Sequence, residues 1–183
     1  SHELKKGVDI SANYMLGRTD RDLTENIERI HTTDTSNYTS DQQNFNNDIN
    51  TTHHFMFKLK QEIDSLQDLQ LVTSVHHENR SNSSINQLNN MDVNGAFLNS
   101  NRTQNTSSGS NTKFYGDLKY AKRFNKKGRS LVTEVQLTND KNTQLNQVFA
   151  TNVLGVYDTN TSIVNQRQDE NNENWHFDGS LSY

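Results

Sequence analysis

Apolar and polar residues alternate with a period of two in six separate stretches of this chain. In the first stretch, residues 7–17, Val8, Ile10 and Tyr14 alternate with polar neighbours such as Asp9. The other five stretches are centred on Phe57, Leu71, Leu118, Val135 and Phe177. Successive side chains of a strand point to opposite faces, so this period gives each strand one apolar face. The pattern predicts an all-β chain with six strands of about 9–13 residues.

The stretches recur at a nearly constant spacing. Ile10 and Leu71 are 61 residues apart, and Leu131 lies 60 residues further on. Phe55, Phe114 and Trp175 are separated by 59 and 61 residues. The spacing predicts a two-strand unit that the chain passes through three times. We expect a single β-barrel segment made of three such passes, at roughly 1–64, 65–125 and 126–183.

The connections between the stretches alternate in length. Segments 64–68 and 125–129 are short and polar, whereas 18–52, 80–111 and 140–172 are long and rich in Asn, Thr, Ser and Gln. Loops longer than about 12–15 residues are uncommon in compact domains, but outer-membrane barrels combine short periplasmic turns with long extracellular excursions. We therefore expect an antiparallel up-and-down meander of about six long strands, a slice of a transmembrane β-barrel. Parts of its long extracellular connections are expected to continue as ribbons above the membrane.

Composition supports this reading more than it supports a soluble core. Only 30% of the 183 residues are hydrophobic, 27 are Asn, and there is no Pro and no Cys. The absence of Cys excludes a disulfide scaffold, a thiolate nucleophile and a zinc finger. The net charge of −4 offers no basic surface for nucleic acid. A strand that faces lipid needs only one apolar face, so low hydrophobicity is compatible with a barrel.

Alternation divides the strand residues into two predicted sets. The lipid-facing set is Ile10, Tyr14, Phe55, Phe57, Leu59, Leu71, Leu118, Tyr120, Val135, Leu137, Trp175, Phe177 and Leu181. The lumen-facing set is Asp9, Lys58, Lys60, Asp117, Lys119, Glu134 and Asp178. Aromatic residues near strand ends are typical of the girdles at the two membrane interfaces. The alternative is that the same apolar face fills the core of a β-sandwich.

The sequence contains few candidates for chemistry. His53–His54 and His76–His77 flank one predicted hairpin, and neighbours on a strand point to opposite faces, so we interpret them as interfacial polar residues rather than a metal site. Asn94–Gly95 predicts a tight turn rather than part of a calcium loop. No Ser/His/Asp set, carboxylate pair or phosphate-binding loop stands out on a shared face. We expect no catalytic residues, no cofactor, no bound metal and no enzyme activity.

Three runs resemble the Bacteroidetes outer-membrane β-barrel family related to TonB-dependent receptors. Residues 53–84, with an Ile63-Asp64-Ser65-Leu66 turn, resemble its strand–turn–strand unit. Residues 113–142, with a turn from Phe124 to Arg129, resemble the next hairpin, and 174–183 resemble a following strand. Membrane barrels have at least eight strands, so six strands predict a slice of a larger barrel.

The resemblance implies a function and a set of partners. The chain would be part of a receptor in the cell outer membrane that takes up a substrate or binds it at the cell surface. Its expected partners are outer-membrane lipid, the rest of the barrel and the plug. A periplasmic energy-coupling protein would be a partner through regions that are not in this chain. The sequence names neither the substrate nor the total number of strands.

Two alternatives stay open from the sequence. The chain could be a secreted or surface β-rich, adhesin-like domain whose Asn- and Thr-rich loops bind glycans or neighbouring proteins. Tyr183 could also be the natural C-terminus of a barrel, because a terminal aromatic residue on an alternating strand resembles a barrel-assembly signal.

Overall fold

The chain folds into six antiparallel β-strands in a single sheet. The computed structural model describes residues 7–32, 37–126, 128–155 and 160–183. The strands are β1 (Val8–Thr32), β2 (Asn37–Asp64), β3 (Gln67–Asp92), β4 (Phe97–Arg123), β5 (Ser130–Leu154) and β6 (Asn160–Ser182). Their order in the sheet is their order in the sequence. The prediction of an all-β, antiparallel up-and-down meander is confirmed. The described residues contain no helix long and apolar enough to cross a membrane.

The strands are much longer than the apolar alternation indicated. They contain between 23 and 28 residues, so the predicted length of 9–13 residues is wrong. At about 3.3–3.4 Å per residue, each strand is about 75–95 Å long. The extra length comes from the segments that were expected to be long connections. The expectation that parts of them continue as ribbons is confirmed, and they do so for most of their length.

Polar side chains accompany the backbone ladder through these extensions. Asn82 donates to Asn46 on the neighbouring strand at 2.9 Å, and Ser107 donates to Asn146 at 2.7 Å. Such cross-strand pairs stabilise a sheet in the way that i, i+4 pairs stabilise a helix. The Asn- and Ser-rich composition is therefore compatible with a strand that has water on both faces.

The six strands form a single layer. Among the described residues no hydrophobic side chain is buried, so they form no apolar core, and Ser40, at 5% exposure, is the one buried polar residue. Within the same residues each strand contacts only its neighbours in the sheet, and β1 and β6 are its two edges. A sheet normally buries its apolar face against a second layer. This sheet leaves that face available to its surroundings.

The turn between β2 and β3 is held by an aspartate. The Leu66 amide donates to Asp64 Oδ1 at 2.7 Å, and the Gln67 side chain donates to Asp64 Oδ2 at 2.6 Å. The register shifts between Glu62 and Asp64, which leaves Ile63 as an extra residue. A bulge of this kind adds the local twist that a two-residue turn otherwise obtains from residues with positive φ. The short turn predicted at 64–68 is confirmed.

The turn between β4 and β5 uses a glycine instead. Gly128 has a φ of 80°, in the left-handed region that glycine adopts readily. The Phe124 amide donates to the Arg129 carbonyl at 3.0 Å and closes the turn. The short turn predicted at 125–129 is confirmed for the residues described there, and Lys127 lies outside them.

The turn that joins β3 to β4 has both an aspartate that accepts backbone hydrogen bonds and a glycine with positive φ. Gly95 has a φ of 82°, and the amides of Asn94 and Ala96 both donate to Asp92 Oδ1 at 2.8 Å. The predicted Asn94–Gly95 turn is confirmed. The hydrogen bond from the Ala96 amide, helped by that from Asn94, lowers the pKa of the Asp92 carboxyl below its ordinary value.

We predict that Asp92→Ala loosens this turn, because the amides of Asn94 and Ala96 lose their acceptor. Asp92→Asn keeps an acceptor oxygen and should retain most of the protection. The native pKa of Asp92 lies below its unfolded value of about 3.9, so its stabilising effect is present above that value and is lost as the pH falls through the native pKa. The measurement is the hydrogen-exchange protection of the Ala96 amide. Equal protection in the wild type and Asp92→Ala would contradict this role.

Candidate functional surfaces

The register brings the apolar stretches of all six strands onto one face of the sheet. They form four adjacent rows, which we call the apolar belt, and the side that carries them is the belt face. Listed from β1 to β6, the rows are Val8, Gln61, Leu69, Tyr120, Thr133, Leu181; Ile10, Leu59, Leu71, Leu118, Val135, Gly179; Ala12, Phe57, Thr73, Gly116, Leu137, Phe177; and Tyr14, Phe55, Val75, Phe114, Asn139, Trp175. None of the four rows contains a charged residue.

All thirteen residues predicted to face lipid lie in this belt. None of them is buried: seven are exposed, most strongly on the edge strand β6, where Leu181 is 71% exposed, and the other six are half-buried. Phe55, Phe114 and Trp175, whose spacing suggested a repeat, lie in the same row. A contiguous apolar surface of this kind marks a site of contact with lipid or with another protein.

Polar residues border the belt on both sides. The next row outward, away from the short turns, contains Leu16, His53, His77, Thr112, Lys141 and Glu173. On the other side, towards the short turns, the row next to the belt contains Gln67, Lys122 and Leu131. The belt therefore has a defined width of four rows.

The residues predicted to face a lumen all lie on the opposite face. Asp9, Lys60, Lys119 and Glu134 lie in one row with Gln70 and Ser180, and Lys58, Asp117 and Asp178 lie in the next row with Ser11, Val72 and Gln136. Lys119 Nζ is 3.7 Å from Glu134 Oε2, and both side chains are almost half exposed. An exposed pair of this kind contributes about 0–1 kcal/mol. The two signs are mixed along the face, so no strong field of one sign develops there.

A polar groove opens on the opposite face just outward of the level of the belt. It encloses about 340 Å³, and its walls include His76, Glu78, Arg80, Asn111, Lys113 and Asn142. Gly109 lies at its centre, where β4 and β5 approach closely. A Cβ atom at Gly109 would be 2.4 Å from the Thr143 carbonyl oxygen, so only glycine fits there without a backbone shift.

The charged groups of the groove are paired with one another. Arg80 Nε and Nη2 each donate to the Glu78 carboxylate at 2.8 Å, and the Asn50 side chain donates to it at 2.7 Å. The hydrogen bonds from Arg80 lower the pKa of Glu78 below its ordinary value. Lys113 Nζ lies 3.6 Å from Asp140 Oδ2. Because these charges are paired, the groove offers a contacting molecule mainly amide and hydroxyl groups.

The two histidine pairs are separated by the sheet. His53 is the cross-strand partner of His77 on the belt face, and His54 is the partner of His76 on the opposite face. The ring centroids are 6.3 Å apart in the first pair and 6.0 Å apart in the second. In the part of the chain that the structure describes, no group of three or more His, Asp or Glu residues could hold a metal ion.

Sequence reasoning missed the groove. Its outer residues belong to segments 80–111 and 140–172, which were expected to be long connections. The available signal was a two-residue period without large apolar residues, as in Ser107, Gly109, Asn111 and Lys113. A search based on hydrophobic alternation does not detect such a period.

Comparison of the chain with models of protein families finds no match, and comparison with curated proteins finds none either.

We predict that Gly109→Ala destabilises the protein by about 1–3 kcal/mol, the usual range for overpacking. The added methyl group would collide with the Thr143 carbonyl oxygen. Gly17→Ala is the matched control, because a Cβ there meets nothing closer than 4.0 Å. The measurement is the urea midpoint of unfolding for the two variants and the wild type. An equal midpoint for Gly109→Ala and Gly17→Ala would show that the close approach of β4 and β5 is not a constraint.

Proposed function

We propose that this chain is a wall segment of an outer-membrane β-barrel that resembles TonB-dependent receptors. It would be located in the cell outer membrane and would serve substrate uptake or binding at the cell surface. One observation carries the proposal. A single-layer sheet, in which none of the described apolar side chains is buried, displays a continuous, uncharged belt across its six strands.

The belt is large enough to make extended contact with lipid. Its four rows cover a separation of six residues, about 20 Å along the strands. With the tilt of about 35–45° of barrel strands, this corresponds to about 15 Å of the apolar band of outer-membrane barrels, which is about 25 Å tall. A water-exposed belt of this size would be an aggregation site, whereas hydrocarbon solvates it without a second protein layer.

The aromatic residues support the same orientation. Tyr14, Phe55, Phe114 and Trp175 lie together in the outermost row of the belt, next to the polar border. Trp175 Nε1 donates to Glu173 Oε1 at 3.1 Å, so the polar edge of the indole is directed to the border row. Aromatic side chains with one apolar and one polar end favour membrane interfaces.

The opposite face and the two edge strands would also have a role in such a barrel. The opposite face, with its mixed charges and its groove, would face the water or the plug inside the barrel. β1 and β6 each present a row of unpaired backbone groups, which further strands of the barrel would pair. The outer halves of the strands, mainly polar on both faces, would extend beyond the membrane as the surface that meets the substrate.

Spin labels on adjacent residues of β2 test the proposal. Phe57 lies in the belt and Lys58 lies on the opposite face. In protein reconstituted into lipid vesicles, a nitroxide at Phe57 should be relaxed mainly by oxygen, which concentrates in hydrocarbon. A nitroxide at Lys58 should be relaxed mainly by a water-soluble nickel chelate. A Phe57 label that neither reagent reaches, in a water-soluble monomer, would instead support an adhesin-like domain with this face packed against protein.

We further predict that Leu71→Arg destabilises the reconstituted protein by about 2–4 kcal/mol, the cost of Arg at the middle of the lipid face of a barrel. Val72→Arg is the matched control, because Val72 is the neighbouring residue on the opposite face, between Lys58 and Asp117, and its variant should be close to the wild type. The measurement is the urea midpoint of unfolding in lipid vesicles. Similar midpoints for the two variants would argue against lipid on the belt face.

A further inference from the structure

We propose that His53 and His77 form a binding site for a divalent transition-metal cation at the outer border of the belt. The two residues are cross-strand partners on the belt face, and their ring centroids are 6.3 Å apart. Both side chains are half-buried. Imidazole nitrogen is a preferred ligand of Zn²⁺, Cu²⁺ and Ni²⁺. The sheet therefore presents two such ligands side by side.

Hydroxyl groups on the flanking strands orient both rings. The Tyr14 hydroxyl is 2.7 Å from His53 Nδ1, and Thr112 Oγ1 is 2.8 Å from His77 Nδ1. When Nδ1 carries the proton and donates to the hydroxyl oxygen, Nε2 of the same ring keeps its lone pair. Metal-binding histidines almost always use their second nitrogen in this way, which fixes the tautomer and the ring orientation. Both Nε2 atoms are thus left available for one cation.

The separation of the rings is close to what one cation requires. A Zn–N bond of about 2.0–2.1 Å places the metal about 3 Å from each ring centroid. Two rings at a tetrahedral angle then have centroids about 5 Å apart. The observed 6.3 Å needs an approach of about 1 Å, which a χ1 rotation of about 10–15° in each side chain supplies within one rotamer well.

The orienting hydroxyl groups distinguish this pair from the other histidine pair. His77 has Thr112 as its direct partner on β4, whereas His76 has Lys113 in that place. A protonated lysine only donates hydrogen bonds, so it cannot accept one from a ring N–H as the Thr112 hydroxyl does. We therefore assign the site to His53 and His77.

The remaining coordination positions would be filled from outside the protein. Within the described part of the chain, no third His, Asp or Glu joins the pair. Water or another oxygen ligand would complete the coordination shell, and the bound cation would exchange readily. This inference depends on the pairing of β2 with β3 and not on the membrane assignment. Its failure would therefore leave the proposed function untouched.

Copper serves as the probe because its electron paramagnetic resonance spectrum reports coordinated nitrogens. Untagged full-length chain in detergent is titrated with Cu²⁺, and a species with two nitrogen ligands is expected at one equivalent. His77→Gln should abolish that species, whereas the matched control His76→Gln should retain it. Retention in His77→Gln, or loss in both variants, would overturn the assignment. So would a wild-type spectrum without nitrogen coupling.

A second variant keeps both ligands and removes only a positioning contact. Thr112→Val deletes the hydroxyl group that holds His77 Nδ1. Loss of such a partner usually weakens metal binding about 10- to 100-fold, so the Cu²⁺ affinity should fall at least about tenfold while the two-nitrogen spectrum persists at saturation. An unchanged affinity would mean that the hydroxyl does not orient the ring. That result would overturn the assignment of Thr112 as a positioning residue of the site.

Discussion

The register of the antiparallel ladder is the constraint on which the rest of this structure depends. Side chains alternate between faces with a period of two, so a slip of one residue would move the apolar set of a whole strand to the opposite face. Five successive strand pairings keep the same rows aligned, and the result is an uncharged belt that crosses the entire sheet. No packed core corrects an error of register, because no apolar side chain is buried in the described residues. The turns and the bulge at Ile63 are therefore unusually important for fixing the register of the strands.

The two faces of the sheet differ in polarity, as the core and the surface of a soluble domain do. The belt face is apolar over four rows and mainly polar beyond them, with exceptions such as Phe45, Ile85 and Phe149 in one outer row. Behind the belt, the opposite face carries mixed charges, and Lys119–Glu134 and Lys113–Asp140 pair across β4 and β5. Further out, amide and hydroxyl side chains pair from strand to strand on both faces. Such an arrangement is stable only if hydrocarbon or protein covers the belt, which is the physical basis of the proposal that the chain forms part of a barrel wall.

Hydrophobic alternation predicted the existence, the order and the orientation of all six strands. It did not predict how far they extend, because the outer halves are mainly polar and their few apolar residues, such as Phe45, Ile85 and Phe149, are too sparse to give a hydrophobic period. Asn82 and Asn46 look like loop residues in the sequence, yet in the sheet they form a cross-strand hydrogen bond. The groove was missed for the same reason, and Gly109 at its centre gave no local sign that the β5 backbone passes beside it.

The sequence by itself determined which side chains share a face of each strand, because that follows from the geometry of a single extended chain. Only the tertiary structure decided which residues of different strands meet. His53 and His77 are 24 positions apart, and a different turn between β2 and β3 would have paired each of them with another residue. The same holds for Arg80, Gly109 and Gln144, which come together in one row across three strands. The physical reason is that the local backbone decides on which face of a strand a side chain lies. Turns and bulges many residues away decide which residue of the neighbouring strand lies beside it.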